Sequence, residues 1–264
     1  MEMLLQEKEN ELINKTKTND DVLVIVLQIK NFDFGATRMP YELNICGKKM
    51  WEWVSLCAGE AQIKTVVGTP ESDVLQLVKP HLTDKKYTVV LYSDTPLFSA
   101  KTFNDVLTYF RGRGANVLKL KRGYVFDTEY VKNAESLMAF ESQDFGTEQD
   151  FLQVDDMQKL YEVTKIIEKR ILQFHTSQGV IIKSYETTHI DCDVIIGEGT
   201  IIEPNNNLYG LTFVGKNCIL EPNNVINDSI ISENCIVKNS YIQNSRISEN
   251  MVVGPFESVI NQSN

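Results

Sequence analysis

Branched apolar residues recur at every sixth position through much of the C-terminal part of the chain. They are Ile190, Ile196, Ile202, Leu208, Val214, Leu220 and Ile226. Four residues after each of the first six lies a mostly small or compact side chain: Val194, Thr200, Asn206, Thr212, Cys218 and Asn224. A six-residue period is the signature of a left-handed parallel β-helix, in which each hexapeptide forms one face of a triangular coil.

The repeat continues after Ile226, but its apolar positions slip to steps of five and six residues. They are Ile231, Val237, Ile242, Ile247 and Val253. Every buried Ile or Leu of such a coil stabilises the stack by roughly 1.5–3 kcal/mol, and one coil alone could not bury its face. We therefore expect several stacked coils in this part of the chain.

Continuous apolar runs in the N-terminal half predict strands that are buried on both faces. They are DVLVIVLQI (21–29), IKTVVG (63–68) and YTVVLY (87–92). Helical spacing appears in the intervening segments 72–82 and 101–114. Strands alternating with helices predict a doubly wound parallel α/β sheet.

The segment 152–175 has the clearest helical pattern of the chain. Apolar residues at 160, 163, 167, 171 and 174 form one face, and Glu and Lys fill the other. Its length suits a rigid helix that links the α/β half to the β-helix.

Composition excludes several partners. The net charge of −10 and the pI near 4.9 argue against nucleic acid or an anionic membrane as partner, because phosphates require a basic face. The five cysteines form no CxxC pair, and the longest apolar run, 22–27, is too short to span a bilayer. We found no signal peptide, so we expect a soluble, cytoplasmic protein with reduced thiols.

Several motifs resemble one family, the bacterial bifunctional N-acetylglucosamine-1-phosphate uridyltransferase / glucosamine-1-phosphate acetyltransferase. NFDFGATRMP (31–40) resembles its GxGTRM loop, and VVLYSDTPLF (89–98) resembles its LYGDVPL turn. FLQVDDMQKLYE (151–162) is similar to its GVNxRxxLxxLE segment, and 179–204 is similar to its passage into the β-helix. The resemblance covers most of 22–256, with gaps.

The resemblance implies a fold and domain boundaries. We expect a reduced, doubly wound, nucleotidyltransferase-like (Rossmann-like) α/β domain, a linking helix and a left-handed parallel β-helix of hexapeptide repeats. The predicted boundaries are 1–20 for an N-terminal extension, 21–151 for the α/β domain, 152–178 for the helix and 179–264 for the β-helix.

The resemblance also implies a magnesium site and a phosphate-binding loop. Asp94 and Asp155 match the family's Mg²⁺ ligands, although Asp94 before a Thr-Pro also suits a turn and Asp155 the first turn of a helix. Gly35, Thr37 and Arg38 match its nucleotide-binding loop. Arg38 is the predicted catalytic contact to phosphate, with an ion pair at the loop edge as the alternative, and Gly35 also suits an ordinary loop.

The sequence departs from the family's pattern where phosphate is bound. Phe34 and Ala36 stand where the family has glycines that let backbone N–H groups approach phosphates, and Tyr41 stands where it has a catalytic Lys. The interval between Asp94 and Asp155 is too short for the family's sugar-binding lobe. The three histidines match none of the acetyltransferase positions.

Two functions follow from these matches and departures. One is uridylyl transfer from UTP to N-acetylglucosamine 1-phosphate with Mg²⁺, so that a nucleoside triphosphate and a sugar phosphate are the ligands. The other is a catalytically degenerate homologue that acts as a binding or scaffold subunit through its β-helix. In either case we expect a homo-oligomer, a trimer formed through the β-helix.

Overall fold

The computed structural model describes residues 19–29, 40–69, 71–136 and 145–262. The described chain falls into two compact units. One consists of residues within 1–43 and 49–163, and the other of residues within 44–48 and 164–264.

A five-stranded sheet forms the centre of the first unit. In spatial order its strands are β4 (Gln62–Gly68), β1 (Val22–Ile29), β5 (Tyr87–Tyr92), β7 (Gly123–Asp127) and β6 (Val117–Leu120). Strand β1 is parallel to β4 and β5, and all eight of its residues are buried, as its continuous apolar run predicts. Strand β7 is antiparallel to β5 and β6. The predicted parallel core is therefore present, and an antiparallel hairpin extends it.

Short helices accompany the sheet. They are α1 (Met50–Ser55), α2 (Val74–Val78), α3 (Ala100–Arg113) and α4 (Thr128–Asn133), with 3₁₀ turns at Pro40–Glu42, Leu56–Ala58, Lys79–His81 and Gln149–Phe151. Helix α3 begins where the Ser99 hydroxyl accepts a hydrogen bond from the Thr102 N–H. It ends at Gly114, whose φ of 62° is the left-handed conformation that glycine adopts at low cost.

Helix α5 (Met157–Ser177) is the longest helix of the described chain. It begins at Met157 rather than at 152, because 152–155 forms no regular secondary structure and the Asp156 carboxylate caps the helix by accepting the Lys159 N–H at 2.7 Å. No helix of the described residues is long and apolar enough to cross a membrane.

A parallel β-helix with three sheets forms most of the second unit, which confirms the fold that the hexapeptide period predicts. One sheet contains β8 (Ile181–Ile182), β11 (Ile201–Ile202), β14 (Ile219–Leu220), β17 (Ile236–Val237) and β20 (Val252–Val253). Another contains β9 (His189–Ile190), β12 (Asn207–Tyr209), β15 (Val225–Asn227), β18 (Tyr241–Gln243) and β21 (Ser258–Ile260). The third contains β10 (Ile195–Ile196), β13 (Phe213–Val214), β16 (Ile230–Ile231) and β19 (Arg246–Ile247).

The repeat residues are the core of this β-helix, each 4% exposed or less from Ile190 to Val253. The slip to five-residue steps shortens the coils: the strand register advances 18 residues from Ile201 to Ile219, 17 to Ile236 and 16 to Val252. Most corners contain one residue with positive φ, usually Asn, which tolerates this conformation better than other side chains with a Cβ.

The compact residues after each apolar position form polar ladders along the corners. The amide nitrogen of Asn224, for example, donates to the Asn206 side-chain oxygen at 2.9 Å, and the Asn224 side-chain oxygen accepts the Ser240 N–H at 2.9 Å. Asn206 and Asn224 are fully buried. Their side chains satisfy backbone groups that the tight corners would otherwise leave unpaired.

A hairpin of the N-terminal half also belongs to the second unit. A turn at Cys46 and Gly47 joins β2 (Asn44–Ile45) to β3 (Lys48–Lys49). The Cys46 carbonyl accepts the Cys192 N–H at 3.0 Å, and the Lys48 ammonium lies 2.8 Å from both carboxylate oxygens of Asp193.

We expect Ile226→Ala to lower the free energy of unfolding of the β-helix by about 2–4 kcal/mol, because it leaves a cavity at a fully buried core position. Val225→Ala, on the outward side of the same strand, is the matched control and should cost less than about 1 kcal/mol. Urea unfolding measures both. Equal losses for the two variants would contradict the assignment of inward and outward positions.

Candidate functional site

The candidate site lies at the carboxyl end of β5, where open parallel sheets bind their ligands. One more hydrogen bond to the neighbouring strand follows the end of β5, since the Ser93 N–H donates to the Leu27 carbonyl at 2.9 Å. Asp94 follows, and its side chain is only 3% exposed. A carboxylate this buried requires polar partners, so its contacts define what the site can do.

Arg122 is the first of these partners. Its Nε lies 3.2 Å from Asp94 Oδ1 and its Nη2 lies 2.6 Å from Asp94 Oδ2, so the guanidinium binds both carboxylate oxygens. The guanidinium also lies over the Tyr92 ring, 3.9 Å from the ring centroid. Burial and the neighbouring Tyr124 raise the pKa of Tyr92, and Arg122 opposes this rise. Arg122 is thus held between an aromatic face and a carboxylate.

The hairpin of β6 and β7 places Arg122 in this position. Gly123 pairs with Leu91, so Arg122, one residue earlier in the turn, lies opposite Tyr92. Gly123 has a φ of 141°, and a Cβ at this position would lie 2.5 Å from the Val90 carbonyl oxygen. Only glycine therefore allows β7 to begin this close to β5.

The segment before α5 supplies the third hydrogen bond to Asp94. The Gln153 side-chain amide donates to Asp94 Oδ2 at 3.0 Å, and the Val154 N–H donates to the Asp94 carbonyl at 2.7 Å. Asp155 follows at once, and its carboxylate lies 2.6 Å from the Lys159 ammonium one turn along the helix. This hydrogen bond raises the pKa of Lys159.

Asp150 connects the segment before α5 to the start of α3 through hydrogen bonds. Its carboxylate accepts the Ser99 N–H at 3.1 Å, and the Thr147 N–H and hydroxyl at 2.7 and 2.8 Å. Burial alone would raise the pKa of Asp150, but these hydrogen bonds outweigh it, so the pKa is lowered.

The described residues do not fit the divalent cation that the resemblance implies. Mg²⁺ requires near-octahedral oxygen ligands at about 2.0–2.1 Å, whereas both Asp94 oxygens already accept hydrogen bonds from Arg122. The Asp155 carboxylate is paired with Lys159. In the parts of the chain that the structure describes, no group of three or more His, Cys, Asp and Glu side chains is placed to hold a metal ion.

The structure brings together only part of the predicted site. The segments that contain Asp94 and Asp155 are in contact, as the resemblance requires, but their carboxylates bind side-chain cations. Gly35, Thr37 and Arg38 lie outside the described residues, so their contacts with phosphate remain predictions.

Sequence reasoning missed Arg122 and Gln153 as partners of Asp94. In the sequence, Arg122 is one of several nearby basic residues and nothing distinguishes it from Arg111, which pairs with Asp21 instead. The signal for Arg122 is the Arg-Gly turn of KLKRGYVFD, and it becomes informative only once the pairing of β7 with β5 is known. Gln153 had no comparable signal.

The fold combines an α/β unit with a hexapeptide β-helix. The chain is similar to proteins named "Bifunctional protein GlmU". It is 41% identical over 103 residues to that of Clostridium kluyveri, 43% over 111 to that of Clostridium tetani and 32% over 130 to that of Listeria monocytogenes. These matches cover 39%, 42% and 49% of this chain. The resemblance inferred from the motifs is therefore confirmed.

The matches also cover only a small part of each relative. They span only 23%, 24% and 28% of those three proteins, so their activity does not transfer directly to this chain. No protein-family model matches the chain. A solved structure of CMP:2-keto-3-deoxy-manno-octonic acid synthetase complexed with CTP is 12% identical, covers 56% of this chain and 99% of that one, and has a TM-score of 0.43, too low to support an argument.

We expect Arg122→Gln to lower the free energy of unfolding by about 3 kcal/mol, because it leaves a buried carboxylate without its cation. Combined with Asp94→Asn, the loss should be smaller than the sum of the single losses by about 1–3 kcal/mol. Arg111→Gln, which breaks the more exposed pair with Asp21, should cost less than about 1 kcal/mol. Urea unfolding of the four variants tests this, and strictly additive losses would contradict direct contact.

The lowered pKa of Asp150 predicts how one part of the stability depends on pH. A carboxyl group whose pKa is lower in the folded state stabilises the fold above its unfolded pKa of about 3.9, and this stabilisation is lost as the pH falls through the folded value. The difference in unfolding free energy between the wild type and Asp150→Asn should therefore shrink below about pH 4. A difference that stays constant to about pH 2 would contradict this.

Proposed function

We propose that this chain is a sugar nucleotidyltransferase-like protein that has lost metal-dependent transfer and acts as a binding or scaffold subunit. The observation that carries the proposal is the Asp94 carboxylate, which receives three hydrogen bonds from Arg122 and Gln153. Metal-dependent phosphoryl chemistry requires ligands that can hold a cation against the phosphate oxygens. Asp94, whose two carboxylate oxygens both accept hydrogen bonds from the protein, does not provide such a ligand.

Tyr41 gives further support for lost catalysis. It stands where the resemblance expects a catalytic Lys, and it is buried next to Glu42 in a 3₁₀ turn. Burial and then the Glu42 charge raise the pKa of Tyr41, so its phenol is neutral at pH 7. A neutral phenol cannot replace an ammonium group in stabilising phosphate charge.

The β-helix has a surface that suits self-association. On the sheet that begins with β8, the outward-facing residue is aliphatic in every coil: Ile181, Ile201, Ile219, Ile236 and Val252. The first and last of these are 49% and 56% exposed. A continuous apolar stripe on a polar protein favours an interface, and we propose copies of this chain as the occupant, in the trimer that the resemblance implies.

Uridylyl transfer from UTP to N-acetylglucosamine 1-phosphate is the second candidate. The contact between the Val154 N–H and the Asp94 carbonyl favours it, because this contact joins the two segments that contain the family's metal ligands. In this function Asp94 and Asp155 would hold Mg²⁺, and Gly35, Thr37 and Arg38 would contact the nucleotide. It requires Arg122 and Lys159 to release both carboxylates.

We expect no pyrophosphate release above the buffer blank from UTP, N-acetylglucosamine 1-phosphate and Mg²⁺, because Arg122 and Lys159 already bind the carboxylates of Asp94 and Asp155. A panel of other nucleoside triphosphates and sugar phosphates should give the same result. Release that disappears in Asp94→Asn but persists in Asp105→Asn, an exposed residue elsewhere in the α/β domain, would establish the second candidate instead.

A further inference from the structure

Two carboxylate–cation pairs lie on the two segments where the resemblance expects the ligands of one divalent cation. Asp94 is paired with Arg122, and Asp155 is paired with Lys159 at 2.6 Å. The backbone contact from Val154 to Asp94 joins the two pairs through adjacent residues. Together, the guanidinium and the ammonium bring two positive charges, the charge of one Mg²⁺ ion.

We propose that Arg122, assisted by Lys159, permanently takes the place of the divalent cation and closes this site to metals. The inference rests on the proposed function, because it explains how the α/β domain keeps a buried carboxylate at the end of its strand without a metal. Arg122 is a positioning residue in this account, since it acts through Asp94.

The geometry of Arg122 suits a permanent replacement. A guanidinium offers a planar pair of donors that matches both carboxylate oxygens, whereas a lysine would offer one point charge. The Tyr92 ring packs against the guanidinium, with the Arg122 Cζ 3.9 Å from the ring centroid, and the Gln153 amide donates a second hydrogen bond to Asp94 Oδ2. Arg122, Tyr92 and Gln153 thus each contribute a donor or a packing surface to this pair.

The two cations are not equivalent. Asp94 is 3% exposed and Arg122 28%, whereas Asp155 and Lys159 are 41% and 38% exposed. Solvent screens the outer pair, so it contributes little to excluding a metal. A metal ion bound to Asp94 would instead lie next to a guanidinium held in place, and like-charge repulsion would oppose it. Arg122 therefore accounts for most of the exclusion.

The test is Mn²⁺ binding to the full chain, monitored as the loss of the electron paramagnetic resonance signal of free Mn²⁺. The wild type should show no binding of Mn²⁺ that depends on Asp94 at about 1 mM metal. The affinity of Arg122→Gln for Mn²⁺ should be at least about tenfold higher than that of the wild type. This gain should disappear in Arg122→Gln with Asp94→Asn. Arg111→Gln, which removes the same charge away from the site, should behave like the wild type.

Two outcomes would overturn the proposal. The first is Mn²⁺ binding by the wild type that is lost in Asp94→Asn, and this measurement does not depend on the folding of any Arg122 variant. The second is a folded Arg122→Gln, checked by circular dichroism, that gains no affinity. Pyrophosphate release without added metal would contradict the proposed function alone, while Asp94-dependent Mn²⁺ binding without turnover would contradict this inference alone.

Discussion

The ion pair between Asp94 and Arg122 is the interaction on which the candidate site depends. It joins three separate parts of the α/β unit: the end of β5, the turn between β6 and β7, and the segment before α5. Because Asp94 is nearly inaccessible to solvent, its charge must be balanced within the protein. The protein balances this charge with an arginine, Arg122.

The second unit obeys a different constraint, the stacking of identical positions from coil to coil. Its core residues, its corner residues with positive φ and its polar ladders all repeat with the coil. Even the shortening of the coils from 18 to 16 residues keeps each inward side chain above its equivalent. A unit of this kind needs no catalytic site to remain stable, which is compatible with the proposed role as a binding or scaffold subunit.

These two constraints explain what the sequence could predict. The β-helix was predictable from Ile190 onward because its period is local and each apolar residue stacks on one a coil away. The parallel strands β1, β4 and β5 were predictable from continuous apolar runs. The surroundings of Asp94 were not predictable. Arg122 approaches Asp94 only through the register of Leu91 with Gly123, and Gln153 reaches it only because the helix begins at Met157 and leaves 152–155 outside it. Motif resemblance directed attention to Asp94 and Asp155, whose role as metal ligands stays a prediction, but it could not reveal their partners Arg122 and Lys159.

The most direct test of the account is the Nε–Hε signal of Arg122 in a ¹H–¹⁵N spectrum, assigned by its absence in Arg122→Lys. If the guanidinium is bound to Asp94, this proton should exchange slowly with water, and its signal should remain sharp when Mn²⁺ is added. Rapid exchange, or broadening by Mn²⁺ that Asp94→Asn abolishes, would show that Asp94 is open to metal and would contradict the central claim.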